Sequence, residues 1–221
     1  MPGTQFSAAD YLQTVAAAVT SIPLEPLEQL ADDLLHAWRS RRFIFTCGNG
    51  GSAANAAHIA EDIGKCTIPD GAPGIPRFRM LSLADSAPYL LAWANDDGFD
   101  RVFVEQLTNL ASPGDVLIAI STSGCSRNVL LAADWARRHG LVTWALTGCR
   151  ESPLLELADR ALQVPSDDVG VIETAHLAVT HWLVEHLRAR LRDALPAECQ
   201  LSREVTSARG AALAMALPDA A

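Results

Sequence analysis

The chain contains 221 residues, of which 49% are hydrophobic and 19% charged, a composition typical of a folded globular domain rather than a disordered chain. Its 17 basic and 26 acidic residues give a formal net charge of −9, which argues against the basic surface of a nucleic-acid-binding protein. No apolar run reaches the length of a membrane span, and the first residues lack the basic and apolar segments of a signal peptide.

The cysteines indicate the compartment. They are five in number, scattered along the chain, and never spaced as Cys-x-x-Cys: Cys47, Cys66, Cys125, Cys149 and Cys199. An odd, scattered set predicts neither a disulfide framework nor a zinc finger. We therefore expect a reduced, cytoplasmic protein with neither nucleic acid nor membrane as a partner.

The first forty residues are predicted to be helical. Residues 7–10 combine a serine with an acidic residue three positions later, which is typical of a helix start. Over 24–41 the apolar residues recur at helical spacing. We expect these helices to precede the main alternating part of the domain.

Five short apolar runs then predict strands, because each is bounded by turn residues and followed by a segment of helical periodicity. They lie at 43–47, 80–83, 116–120, 142–146 and 161–164. Strands that alternate with helices imply right-handed crossovers, and hence a parallel sheet covered by helices on both faces. The predicted class is therefore α/β, in three layers, with a five-stranded parallel sheet and N-terminal helices.

The domain is predicted to end near residue 200. A last long helix is expected over 172–195, and neither a repeat nor a linker interrupts 1–200. Residues 201–221 are small and alanine-rich with no clear core face, which predicts a weakly ordered tail or a contact with a partner.

A glycine-rich loop at 48–52 (Gly-Asn-Gly-Gly-Ser) follows the first predicted strand and precedes a helix. Glycine backbone N–H groups at a helix N-terminus favour an anion. The loop is not a Walker loop, but with Ala53 it matches Gly-x-Gly-x-x-Ala, so a dinucleotide must be weighed. The acidic residue expected about twenty positions later is missing, since Asp70 lies in a Pro/Gly loop and Asp85 is too far along. We therefore expect no nucleotide cofactor.

A second loop at 121–126 (Ser-Thr-Ser-Gly-Cys-Ser) follows the third predicted strand. Its four hydroxyls beside a helix N-terminus suit phosphate oxygens, although one serine alone would suffice as a helix cap. Ligands of open parallel sheets bind beyond the carboxyl ends of the strands, where both loops lie. A hydroxyl-lined crevice without a cationic clamp predicts a phosphorylated sugar rather than a polyphosphate.

Two helices carry residues suited to acid–base or metal chemistry. His58 is followed by Glu61 and Asp62 at helical spacing, so all three project from one helix face. Such a group can bind a metal, serve as an acid–base pair, or form a plain surface contact.

The last helix adds Glu173, His176, His181 and His186. Glu173 and His181 are eight residues apart, which is roughly 12 Å along a straight helix. Both can ligate one ion only if the helix starts after Glu173 or if the site combines subunits.

Three motifs in this order resemble the sugar isomerase (SIS) family, and within it the phosphoheptose isomerases. They are Cys-Gly-Asn-Gly-Gly-Ser-Ala-Ala-Asn-Ala-Ala-His at 47–58, Ala-Asn-Asp-Asp-Gly-Phe at 94–99 and Ile-Ser-Thr-Ser-Gly at 120–124. The resemblance covers about 42–187. It implies a five-stranded parallel sheet between helices and a homotetramer whose active sites are shared between subunits.

The implied reaction is an aldose–ketose isomerisation of sedoheptulose 7-phosphate to D-glycero-D-manno-heptose 7-phosphate through an enediol, for nucleotide-heptose synthesis. The resemblance makes Asp62 the base and His181 its acid/base partner. It also implies that the zinc ligands are His58, Asp62, Glu173 and His181. Phosphate would be held by Ser52, Ser121, Thr122, Ser123 and Ser126. The sugar chain would meet Asn49, Gly50, Gly51, Asn95 and Asp96.

This chain departs from the family pattern at the proposed site. Asp62 stands where the best-known members have Glu, and Glu61 could substitute only through a different reach. Glu173 stands where they have Gln, which adds a negative charge. These differences bear on the substrate more than on the type of reaction.

Two alternatives belong to other functional classes. One is a non-catalytic SIS assembly protein of the DnaA initiator-associating type, in which the carboxylate is lost. The other is an isomerase or sensor of another sugar phosphate. Retention of His58, Asp62, Glu173 and His181 favours the isomerase over the assembly protein, whereas loop chemistry does not separate the possible sugars.

Overall fold

The structure is a computed structural model, which describes residues 7–69 and 74–193. Its strands are β1 (Phe43–Cys47), β2 (Arg79–Ser82), β3 (Val116–Ile120), β4 (Val142–Thr147) and β5 (Arg160–Gln163). All neighbours pair in parallel, in the order β2-β1-β3-β4-β5. The predicted five-stranded parallel sheet is confirmed, with strand ends differing by a single residue. The predicted tail at 201–221 lies outside the described residues.

Helices cover both faces of this sheet, as predicted. They are α1 (Ala8–Thr20), α2 (Leu24–Arg39), α3 (Gly51–Cys66), α4 (Ala87–Asp96), α5 (Val104–Leu110), α6 (Arg127–Arg138), α7 (Pro153–Leu157) and α8 (Val169–Asp193). A 3₁₀ turn, Phe99–Arg101, joins α4 to α5. No helix in the described part of the chain is both long and apolar enough to cross a membrane.

Two apolar cores separate the layers. Alternate residues of β3 point to opposite sides: Ile118 packs with α1, α2, α3 and α8, whereas Leu117 packs with α5 and α6. Both are fully buried. Burial on both faces accounts for the uninterrupted apolar sequence of β3.

The strand order reverses between β1 and β3. The chain first places β2 on one side of β1, and it then adds β3, β4 and β5 on the other side of β1. Ligands of open parallel sheets bind at such a point, outside the carboxyl ends of the strands. The glycine-rich loop follows β1 and the hydroxyl loop follows β3, so the fold brings both loops to this position.

Helix α8 begins at Val169, three residues earlier than predicted. Asp168 accounts for the difference, since its Oδ1 accepts a hydrogen bond from the backbone N–H of Val171 at 2.9 Å. Its carbonyl accepts another from the N–H of Ile172 at 3.0 Å. An aspartate in this position caps the first turn. Glu173 is part of the helix, as the predicted range already implied.

Candidate active site

The glycine-rich loop is held in place by both its backbone and its side chains. Gly50 has a φ of 56°, in the left-handed region that favours glycine, and directly precedes α3. The amides of Asn49 and Asn128 exchange two hydrogen bonds of 2.8 Å. These bonds tie the loop after β1 to the start of α6, which follows β3.

The hydroxyl loop leaves its polar atoms available to a ligand. Ser126 directly precedes α6, yet its side chain makes no capping hydrogen bond. Its Oγ instead accepts a hydrogen bond from Ser121 Oγ at 3.2 Å. Helix capping therefore does not account for the hydroxyls of this loop.

The two loops enclose a pocket of about 270 Å³. It is lined by Asn49, Gly50, Gly51, Ser52, Ile120, Ser121, Thr122, Ser126, Val169 and Glu173. We call this the hydroxyl pocket. Seven of the predicted substrate-binding residues line it. Ser123 instead lines a smaller neighbouring cavity.

A group of three titratable side chains lies farther along α3 and α8. Asp62 Oδ2 lies 3.0 Å from His58 Nε2, and His181 Nε2 lies 3.3 Å from the same His58 atom. We call these residues the His–Asp–His cluster. The cluster is open to solvent, because His181 is exposed and His58 and Asp62 are partly so.

The cluster fits a zinc ion. Two histidines and one carboxylate with a fourth position open are a common set at catalytic zinc sites. Ligands about 2.0 to 2.1 Å from a tetrahedral zinc are separated by about 3.3 Å, close to the two distances measured from His58, and all three ligand atoms lie within 4.8 Å of one another. Three of the four predicted ligands thus come together within one chain.

Glu173 does not join this cluster. Its carboxylate lies at the hydroxyl pocket, so close to Gly51 that a Cβ on Gly51 would overlap it. Because α8 is already helical at Glu173, the roughly 12 Å rise to His181 keeps the two residues apart. The sequence left two ways for Glu173 and His181 to ligate one ion: a helix that starts after Glu173, or a site that combines subunits. Because α8 starts at Val169, only the second way remains.

Glu61, the alternative base, lies outside the cluster. It is exposed and pairs with Lys65 at 3.3 Å, whereas Asp62 is partly buried against His58. The geometry therefore favours Asp62 over Glu61.

Comparisons with known proteins agree with this architecture. The SIS domain family matches residues 9–148. The phosphoheptose isomerase of Bradyrhizobium sp. (strain ORS 278) is 41% identical over 175 residues, or 79% of this chain and 86% of that protein. The phosphoheptose isomerase of Mycobacterium tuberculosis (strain ATCC 25177 / H37Ra) is 40% identical over 168 residues, or 76% of this chain and 84% of that protein. The structure of the Neisseria gonorrhoeae phosphoheptose isomerase matches with a TM-score of 0.73 and 31% identity, over 82% of this chain and 96% of that one.

The chain belongs to the SIS domain family. Within that family it is a member of the phosphoheptose isomerases, as the length and identity of these matches show. The predicted family, fold and enzyme class are confirmed, and the chain is an isomerase. The matches extend over nearly the whole length of the relatives, so the family assignment does not depend on one motif.

Two predicted sugar-binding residues lie apart from the hydroxyl pocket. Asn95 and Asp96 are exposed at the end of α4, where the amide of Asn95 donates to the Asp96 carboxylate at 2.7 Å. No residue of α4 is buried, although the helix carries Tyr89, Leu91 and Trp93. Leu91 is exposed, whereas Leu90, Trp93 and Ala94 are partly buried against the second core.

Sequence reasoning did not identify the role of Cys66. Its Sγ lies 3.8 Å from Asp62 Oδ1 and donates a weak hydrogen bond to it. Burial and the negative charge of Asp62 raise the pKa of the Cys66 thiol, which keeps it a donor. The contact between Cys66 and Asp62 could have been predicted from their i to i+4 spacing on α3.

His176 is buried in the core of α8. Neither ring nitrogen has a good hydrogen-bond partner in the described structure. Burial lowers the pKa of this imidazole to about 4, an effect partly offset by the nearby backbone of Thr147. His176 is therefore neutral and lies under the site without joining the His–Asp–His cluster.

Proposed function

We propose that the protein interconverts sedoheptulose 7-phosphate and D-glycero-D-manno-heptose 7-phosphate. The observation that carries the proposal is that α3 and α8 hold the His–Asp–His cluster and also contribute to the hydroxyl pocket between the loops after β1 and β3. The names of the relatives support the choice of a heptose phosphate. The product would serve nucleotide-heptose synthesis.

The hydroxyl pocket would hold the phosphate. Ser52, Ser121, Thr122 and Ser126 offer hydroxyls, and the start of α3 offers backbone N–H groups. Helix N-termini favour anions because their first N–H groups are unpaired and the helix dipole is positive there. Asn49 and the glycines beside it would meet the first part of the sugar chain.

Asp62 and His181 would move the protons. In the forward direction, Asp62 removes a proton from C1 of the ketose while His181 gives one to the carbonyl oxygen at C2. The product of this step is an enediol. Return of a proton to C2 and loss of one from the oxygen at C1 then yields the aldose, so no oxidant or reductant is needed.

The cluster would also hold zinc through His58, Asp62 and His181. When bound there, zinc stabilises the negative charge that develops on the substrate oxygens. Asp62 would then serve both as a zinc ligand and as the base. Glu173 would enter as a ligand only from another copy of the chain.

We propose further that each active site combines two copies of the chain in a homo-oligomer, with a tetramer as the expected state. Along α3, His58 in the cluster lies six positions after Ser52 in the pocket, which is roughly 9 Å of helix rise. Within the cluster His181 is exposed, and His58 and Asp62 are partly so. A neighbouring copy would cover the exposed Leu91 of α4 and bring Asn95 and Asp96 to a pocket.

The test is an NMR time course of the purified protein with sedoheptulose 7-phosphate in D₂O, with and without a chelator. We expect an aldoheptose phosphate to form, with deuterium entering at C1 or C2, and chelator to stop both processes. Neither product nor exchange from protein shown to contain metal would contradict the proposal.

A further inference from the structure

A second, smaller cavity adjoins the hydroxyl pocket. Its volume is about 120 Å³, and it shares Thr122 and Val169 with the pocket. Ser123, Arg150 and Asp167 are among its other lining residues. It lies between the hydroxyl loop, the loop after β4 and the segment before α8. A group bound at Thr122 therefore lies next to both spaces.

The hydroxyl pocket is poorly matched in charge to a phosphate dianion. None of the described residues that line it is a cation, and Glu173 contributes a carboxylate. Hydroxyls and backbone amides hydrogen-bond phosphate but bring no full positive charge. A zinc ion held through Glu173 would offset this carboxylate, but the two negative charges of the phosphate itself would still favour a cation nearby.

Arg150 is such a cation in the adjoining cavity. Its Nη2 donates to Asp167 Oδ2 at 2.8 Å, and the hydrogen bond to Arg150 holds the pKa of Asp167 below its usual range. Both side chains are mostly exposed, at 71% and 64% of their surface. Exposed ion pairs contribute little stability, so exchanging Asp167 for another anion has a small cost.

We propose that Arg150 is a substrate-binding residue that contacts the phosphate from the smaller cavity, and that Asp167 holds its guanidinium there until phosphate binds. A guanidinium presents several N–H donors in a plane and binds phosphate through two of them at once. Asp167 and phosphate then compete for the same donors. The identity of the phosphorylated substrate rests on the proposed function, whereas the anion contact itself does not.

The kinetic test compares three variants. Arg150→Gln should raise KM for sedoheptulose 7-phosphate by about tenfold or more, the scale of a lost charged hydrogen bond, and leave kcat within about twofold. Asp167→Asn should lower KM, because it frees the guanidinium. Arg127→Gln is the matched control: Arg127 is also exposed and paired, with Asp100 at 2.7 Å, but it lines neither cavity. An unchanged KM in Arg150→Gln, or an equal rise in Arg127→Gln, would overturn the proposal while leaving the isomerase intact.

Inorganic phosphate separates this proposal from the proposed function, because its binding needs no turnover. Calorimetric titration should show phosphate binding to the wild-type protein, weaker binding to Arg150→Gln and tighter binding to Asp167→Asn. This order is expected even from a protein that does not convert the heptose. Equal affinities in the wild type and Arg150→Gln, or no phosphate binding at all, would overturn the contact.

Discussion

The hydroxyl pocket and the His–Asp–His cluster lie on the same two helices but are built in different ways. The pocket is made mostly of loop backbone and short hydroxyl side chains at the ends of β1 and β3. The cluster consists of longer side chains on the outer surface of α3 and α8. One region depends on the topology of the sheet, whereas the other depends on helical spacing and on which surface a neighbour covers.

Under the proposed function, this difference divides each active site between two copies of the chain. The strand order brings the two loops together within the chain. The cluster lies farther along α3 than the pocket, by a helix rise of roughly 9 Å. A second copy is the simplest way to join a binding region and a reacting region of this kind.

Loss of the cluster should have the largest effect. His181→Ala removes a proposed acid/base group and should reduce turnover by about 10²- to 10⁴-fold, the usual contribution of such a group. His181 is exposed, so the fold and the oligomer should persist. The assay is the NMR time course, with His186→Gln on the same helix as the control. Full activity of His181→Ala would remove this residue from the mechanism.

The carboxylate of the cluster gives the next largest effect. Asp62→Asn should lose bound metal and turnover together, because the amide is a poorer ligand and no longer a base. Metal analysis and the same assay measure both, and Glu61→Gln is the matched control on the neighbouring position. Retained metal with a normal rate in Asp62→Asn would transfer the role to Glu61.

His176, between the two regions on α8, should make stability depend on pH. An unfolded histidine titrates near pH 6.5 and the buried one at about 4, so only the unfolded state takes up a proton between these values. Stability is therefore complete above pH 6.5 and falls by up to about 3 kcal/mol as pH drops to 4. Urea unfolding at several pH values should show that His176→Leu loses this part of the slope.

The exposed His36 provides the control for that experiment. His36→Gln should keep the wild-type dependence on pH. If the free energy of unfolding of His176→Leu depended on pH as it does in the wild type, the folded imidazole of His176 would not be held neutral.

The hydroxyl loop should show the smallest effect. Gly124 has a φ of 63°, and a Cβ there would overlap the side chain of Ser152. Gly124→Ala should therefore lower the free energy of unfolding by about 2 kcal/mol. Gly140→Ala, with φ 75° and only ordinary contact with Pro113, should lose about 1 kcal/mol. Equal losses would show that Ser152 does not restrict the loop.

Much of the fold and the pocket could be predicted because their signals are local. Burial on both faces marks β3 as a strand, and turn residues mark the two loops that follow β1 and β3. The pairing of His58 with Asp62 follows from helical spacing alone. These features depend on residues that are close in sequence.

The remaining features depend on distant parts of the chain. Glu173 lies at the pocket and not at the cluster because α8 is helical from Val169 onward, and the Asp168 cap that fixes this start was not apparent from periodicity. Arg150 was missed because its relation to the hydroxyl loop requires two strands to be neighbours. Asn95 and Asp96 are exposed at the end of α4, a helix that packs only partly buried residues against the core.

The most direct test of the account is to combine two inactive variants in one oligomer. His181→Ala keeps the pocket, and Ser126→Asp keeps the cluster but places a carboxylate where phosphate would bind. If each site joins a pocket from one copy to a cluster from another, mixed pairs contain one intact site of two, and activity should return to about half of the wild-type value per pair. If each site lies within one chain, every site stays damaged, and the absence of any recovery from verified mixed oligomers would contradict the account.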